Sequence, residues 1–159
     1  MGLYGGPLRD CVVALKYHGR HRTAERLAVR MMDDDRCRAL FEKADLAIPV
    51  PLHPGRLGTR GFNQADLLAT ALARGVRIAR ADVLTRVRDT PSQTNLSVGE
   101  RRRNVRNAFK AKQSTALSGA IVVLVDDVMT TGATLRECAS TLLTSGVREV
   151  RSITVARAE

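Results

Sequence analysis

The sequence predicts an α/β fold, a single domain with a mainly parallel sheet flanked by helices. Three observations predict it. Residues 121–125, IVVLV, are a continuous apolar run rich in β-branched residues, as expected of a strand buried on both faces. Short apolar runs of this kind alternate along the chain with segments of helical periodicity. At 159 residues the chain has the length of one domain with one sizeable core.

The elements follow in order. Gly5-Gly6-Pro7 is a helix entry, with proline suited to the first helical position. Leu8, Cys11, Val12 and Leu15 then recur at helical spacing, and a second helix starts at about Thr23 with Ala24, Leu27, Ala28 and Met31 on one face. Residues 1–44 thus read as a helical N-terminal part packed on the core, with Asp33-Asp34-Asp35 as a solvated turn. Residues 45–51, DLAIPVP, form a short strand. LHPGRLGTRGFNQ after it is a glycine- and arginine-bearing loop that opens a helix at about Asn63, with Gly75 placed to close it. A strand is expected over 83–88. The polar stretch 89–109 is long for a passive connector, which marks it as functional or mobile. The strand at Ile121–Val125, a helix over Gly132–Ser145 ended by Gly146, and a strand over Glu149–Ala156 complete the domain.

Composition narrows the function. With three Phe, two Tyr and no Trp, the chain lacks the rings of a single-strand stacking platform. A net charge of +10 nevertheless points to a polyanionic partner, either a phosphate-rich small molecule or a nucleic acid. The excess sits mid-chain: thirteen basic against five acidic residues over 45–118, but four against five over 119–159. An arginine-biased solvated surface is the plain alternative. Cys11, Cys37 and Cys138 show no metal-ligand spacing and read as free thiols, Cys11 and Cys138 on apolar helix stripes. The first residues lack a signal-peptide core, and no apolar run is long enough to span a bilayer, so a cytoplasmic protein with no membrane partner is expected.

The chemistry concentrates in IVVLVDDVMTTGATL, residues 121–135. Asp126 and Asp127 stand at the expected exit of the strand, where ligands of open parallel sheets bind. Adjacent carboxylates repel unless a partner compensates them. Thr130, Thr131, Gly132, Ala133 and Thr134 then lead into a helix whose first amides and dipole favour an anion. Together these residues suit a phosphate at the helix N-terminus and a diol beside the acids, the two ends of a phosphorylated ribose. The simpler alternative, one threonine cap and one strand-ending aspartate, accounts for only two of the polar residues. No G-x-x-x-x-G-K-[ST] or G-x-G-x-x-G motif occurs.

The run VVLVDDVMTTGATL resembles the phosphoribosyl-pyrophosphate (PRPP) motif of type I phosphoribosyltransferases. With LKYHGR, PVPLHPGRLGTRGFNQ and QTNLSVGERRRNVRNAF, the whole chain resembles the ComF (competence protein F) branch. That branch usually begins with a four-cysteine zinc module, and this chain starts at about the point where the module would end. The resemblance implies a PRPP-binding phosphoribosyltransferase-like protein that binds or transfers a 5-phosphoribosyl group, a glycosyltransferase using Mg2+. By it, Asp126 and Asp127 would contact the ribose hydroxyls and the Mg2+, directly or through water. Val128 and Met129 would continue the PRPP-binding run, and Thr130 to Thr134 would cradle the 5′-phosphate. Leu52, His53, Arg56 and Arg60 would lie on the pyrophosphate side; for His53 an ordinary loop histidine is the equal alternative. Gln93, Arg101, Arg102 and Arg103 would belong to a mobile flap, with surface charge as the alternative for the arginines. The expected partner is PRPP or another phosphorylated ribose. The competing reading is an accessory protein for DNA uptake, with single-stranded DNA or a DNA-uptake helicase as partner; a homodimer is compatible with either.

Overall fold

In the computed structural model, residues 2–18, 21–89 and 98–158 are described, and the side chains of residues 18, 98, 101 and 102 are not. The elements are β1 (Gly2–Leu3), α1 (Gly6–His18), α2 (His21–Met32), α3 (Asp35–Ala39), β2 (Leu46–Pro49), α4 (Pro54–Arg60) and α5 (Gln64–Val76). They continue with β3 (Ala79–Arg80), β4 (Leu84–Arg86), α6 (Val98–Val105), β5 (Phe109–Ala111), β6 (Ile121–Met129), α7 (Ala133–Thr144) and β7 (Glu149–Arg157).

Five strands form one sheet in the order β1-β7-β6-β2-β3, and every pairing in it is parallel. The apolar run of β6 places it at the centre, because both of its faces must be covered. Ile121, Val123 and Val125 point into a core shared with α1, α2, α3 and α5. Val122 and Leu124 point into a second core made with α7 and the β4–β5 pair. The α/β expectation, with helices on both faces of a parallel sheet, therefore holds.

Several local expectations are corrected. The strand expected over 83–88 is the shorter β4, which pairs antiparallel with β5 in a separate two-stranded sheet. Asp33-Asp34-Asp35 is more than a turn, because the Asp34 side chain accepts from the Arg36 amide and caps α3. The loop after β2 contains α4, with His53 as its N-cap and Pro54 in its first turn. Gly75 lies inside α5, which closes at Arg77 in a left-handed conformation with φ 60°. Strand β6 does not stop at Val125. It runs on to Met129, held by Val128↔Ala156 and Met129↔Arg157 pairing with β7. No described helix is long and apolar enough to cross a membrane.

Asn63 ties the fold to the cavity. Its Oδ1 accepts from the Ala65 amide at 3.1 Å, capping α5, while its Nδ2 donates to the Val50 carbonyl at 3.0 Å. The Val50 amide in turn donates to the Val125 carbonyl at 2.9 Å, so the segment after β2 is anchored beside the aspartates. Asn63→Ala is expected to lower stability by about 1–2 kcal/mol, as for other lost caps. Asn63→Asp should recover the cap share of that loss and not the bond to Val50. Denaturant unfolding of both variants checks the order.

Candidate functional site

A cavity of about 450 Å³ opens at the carboxyl ends of β2, β6 and β7. β6 supplies Asp126, Asp127, Val128 and Met129, and the turn after it supplies Thr130 and Gly132. The first turn of α7 supplies Ala133, Thr134 and Leu135. Val50, Pro51, Leu52 and Arg56 close one side, and Tyr4 and Ala158 lie at the other. Lys16 and Gln64 reach in from α1 and α5, and Arg86 from β4.

The geometry follows from the strand. Because β6 continues through both aspartates, their Cβ atoms start toward opposite faces, but the two carboxyl groups still meet side by side at the cavity. Asp127 goes to the helical face and is 5% exposed. There its Oδ2 lies 2.8 Å from Nζ of Lys16. Asp126 turns to the α7 face, and its Oδ1 accepts from the Asp127 amide at 2.8 Å. The chain then turns at Gly132, whose φ of 71° is left-handed, and α7 begins. A glycine cap contributes no side chain of its own there. A Cβ on Gly132 would come within 3.4 Å of Arg136 and 3.6 Å of Met129.

The two acids are held in different states. Burial, and then the neighbouring charge of Asp127, push the Asp126 carboxyl well above the ordinary carboxylate range. Burial opposes charge on Asp127 as well, but the Lys16 ammonium outweighs it, helped by Asp126 and the Gln64 amide. The net result is an Asp127 carboxyl below its ordinary range. Arg86 is 6% exposed and sits over the Phe109 ring at 5.5 Å; burial, then the charge of Arg56, lower its pKa. Burial pushes the Cys138 thiol up, as befits a core residue.

Of the expected residues, Asp126, Asp127, Val128, Met129, Thr130, Gly132, Ala133, Thr134, Leu52 and Arg56 line this cavity. Thr131 does not. Its Oγ1 accepts from the Ala133 amide at 3.4 Å and its carbonyl accepts from Arg136 at 2.6 Å, so it shapes the turn. His53 also lies outside the lining; its Nδ1 accepts from the Gly55 amide and is 3.7 Å from Asp89. Arg60 donates to Gln64 at 2.6 Å, lies 5.9 Å from the Tyr17 ring centroid, and lines an adjoining cleft. Gln93 lies outside the described residues, as do the side chains of Arg101 and Arg102; Arg103 is exposed on α6. Lys16, Gln64, Arg86 and Tyr4 were not expected. Lys16 belongs to the quoted LKYHGR, but only the tertiary fold brings it to Asp127.

An open parallel sheet with this cavity at its carboxyl ends has the phosphoribosyltransferase-like architecture. The glutamine PRPP amidotransferase from B. subtilis, solved in complex with ADP and GMP, superposes with a TM-score of 0.61 at 20% identity. The likeness, one of fold, covers 91% of this chain and 30% of that one. Residues 60–159 match the model of the phosphoribosyl transferase domain, and the chain belongs to that family. It is 36% identical to Competence protein F of Haemophilus influenzae, over 99% of this chain and 71% of that protein. It is 38% identical to DNA utilization protein YhgH of Salmonella typhimurium, over 93% of this chain and 66% of that protein. With Competence protein ComFC of Bacillus subtilis it shares 33% identity, over 73% of this chain and 46% of that one. The expected kinship with the ComF branch is thereby shown.

The states of the two acids have opposite consequences for stability. A carboxyl raised in the fold, as Asp126 is, destabilises at neutral pH and is relieved as pH falls through its folded pKa. Asp126→Asn is therefore expected to raise the melting temperature at pH 7 by roughly 2–4 °C, as about 1 kcal/mol does in a chain of this size. The gap should close on acidification. Asp127, lowered in the fold, stabilises above its ordinary pKa and loses that contribution as pH falls. Asp127→Asn should lower the melting temperature at pH 7. Melting curves from pH 4 to 8 check both signs.

Proposed function

We propose that the cavity binds the 5-phosphoribosyl group of PRPP together with Mg2+, and that the chain transfers or holds that group. The observation that carries this reading is the joining of two binding features in one cavity. The first turn of α7 follows a left-handed glycine, and two carboxylates stand at fixed positions on the strand before it. A helix N-terminus suits the 5′-phosphate, and the acids suit the ribose hydroxyls.

The remaining residues suit departure of the pyrophosphate. When the bond from C1 to the pyrophosphate oxygen breaks, positive charge develops on the sugar and negative charge on the leaving group. Arg56 and Arg86 line the cavity and oppose that negative charge. The walls formed by Val50, Pro51 and Leu52 limit water around the sugar. Among the described residues, no group of three or more His, Cys, Asp or Glu side chains is gathered as a cation site. The two carboxyl groups that line the cavity fit Mg2+ as it is commonly held on nucleotides, by one or two carboxylates, water and the ligand's own phosphates. Asp126 and Asp127 would face that ion directly or through its water, and the ion, when bound, neutralises pyrophosphate charge.

A second reading comes from the relatives' names, which speak of competence and DNA utilization. Arg22, Arg26 and Arg30 form an exposed row on α2, remote in sequence from the cavity residues of β6, and such a row suits a phosphate backbone. Calorimetric titration with PRPP plus Mg2+, and with single-stranded DNA in the same buffer, separates the two. PRPP is expected to bind. The Asp126→Asn, Asp127→Asn double variant should lose tenfold or more per site, since hydrogen bonds to charged groups contribute roughly 1.5–3 kcal/mol. Unchanged PRPP affinity in that variant would sink the diol assignment. DNA binding without PRPP binding would put the accessory reading first.

A further inference from the structure

Asp127 is the less exposed of the two acids, and beside the Asp126 carboxyl its carboxylate meets two nitrogen groups. Lys16 approaches to 2.8 Å from α1. Gln64 approaches from α5, and its carbonyl oxygen is itself held at 2.6 Å by Arg60 of α4. The backbone that carries Lys16 is fixed. Helix α1 is fixed by Val12 and Leu15, both fully buried, and Leu15 is the residue before the lysine. Lys16 thus gives the Asp127 carboxylate a cationic partner of its own before any divalent ion binds.

Lys16 also borders two spaces. It lines the main cavity and, with Tyr17, Arg56, Thr59 and Arg60, a neighbouring cleft of about 540 Å³. An ammonium at that boundary can neutralise Asp127 while leaving the carboxylate open to a hydroxyl donor in the cavity.

We infer that Lys16 is a built-in counter-cation for Asp127, which orients that carboxylate toward the ribose hydroxyls without a divalent ion and leaves Mg2+ to the phosphate oxygens. The inference rests on the phosphoribosyl reading of the cavity. Lys16 is a positioning residue in it, acting through Asp127. Magnesium should therefore matter for a ligand that carries pyrophosphate and matter little for one that carries only the sugar and its 5′-phosphate.

Ribose 5-phosphate is the probe, titrated by calorimetry with chelator and again with Mg2+. The wild-type protein should bind it with nearly the same affinity in both buffers. Lys16→Met should weaken binding by about tenfold or more in chelator, the size expected when a charge-assisted contact is lost. Mg2+ should restore part of that loss, a response that a merely structural lysine would not give. Lys16→Arg should stay insensitive to Mg2+, and in an Asp127→Asn background Lys16→Met should add little. A wild-type affinity for ribose 5-phosphate that depends strongly on Mg2+ overturns the inference, and this arm decides even if Lys16→Met fails to fold. So does a folded Lys16→Met whose affinity is unchanged, or falls equally in both buffers. PRPP binding without ribose 5-phosphate binding overturns this inference alone; absence of both overturns the functional reading as well.

Discussion

Two adjacent carboxylates in the buried middle strand of a parallel sheet impose the constraint on which the rest of the cavity depends. Side by side they repel one another, so their charge must be compensated or suppressed. Asp127 receives Lys16 at 2.8 Å on the helical face. Asp126 faces the α7 side, where burial and its neighbour's charge disfavour ionisation. The pair therefore carries less charge than two acids would in water. A polar cavity can then sit against a core that includes Val125 and Leu124, both fully buried.

The surrounding fold keeps this arrangement in place. β6 pairs in parallel with β2 on one side and β7 on the other, which aligns three carboxyl ends around one opening. Asp45 fixes the start of the pair, accepting from the Ile121 amide at 2.8 Å. Asn63 fixes the other end through Val50. Helix α1 reaches the cavity only because α1 and α2 pack over the same face as α5. A short extra strand, β1, adds to the edge of β7 and brings Tyr4 to the rim.

The centre of this site was legible in the sequence because it is local. IVVLV announces a doubly covered strand, and Gly132 between threonines announces the turn to α7. What was hidden depends on distance or on short elements. Lys16 lies on a helix far from Asp127 in sequence, and helical periodicity says nothing of which strand end its tip will meet. Arg86 sits in VLTRVR, where alternation suggests a half-solvated strand; only packing against Phe109 shows it to be buried. Helices α3 and α4 are too short for a periodic signal, and capping by Asp34 and His53 decides them. The strand's continuation to Met129 was missed because acids disfavour strands, while pairing with β7 overrides that preference.

The proposed ligand carries a phosphate at one end and hydroxyls at the other, a reading supported by membership of the phosphoribosyl transferase domain family and by the layout of the cavity. The most direct test of that account is an amide NMR titration with ribose 5-phosphate. The account predicts the largest shifts at the amides of Gly132, Ala133 and Thr134, accompanied by shifts at Asp126 and Asp127, all saturating at one ligand concentration. Shifts confined to the exposed arginine row of α2, or none at the start of α7, would contradict it.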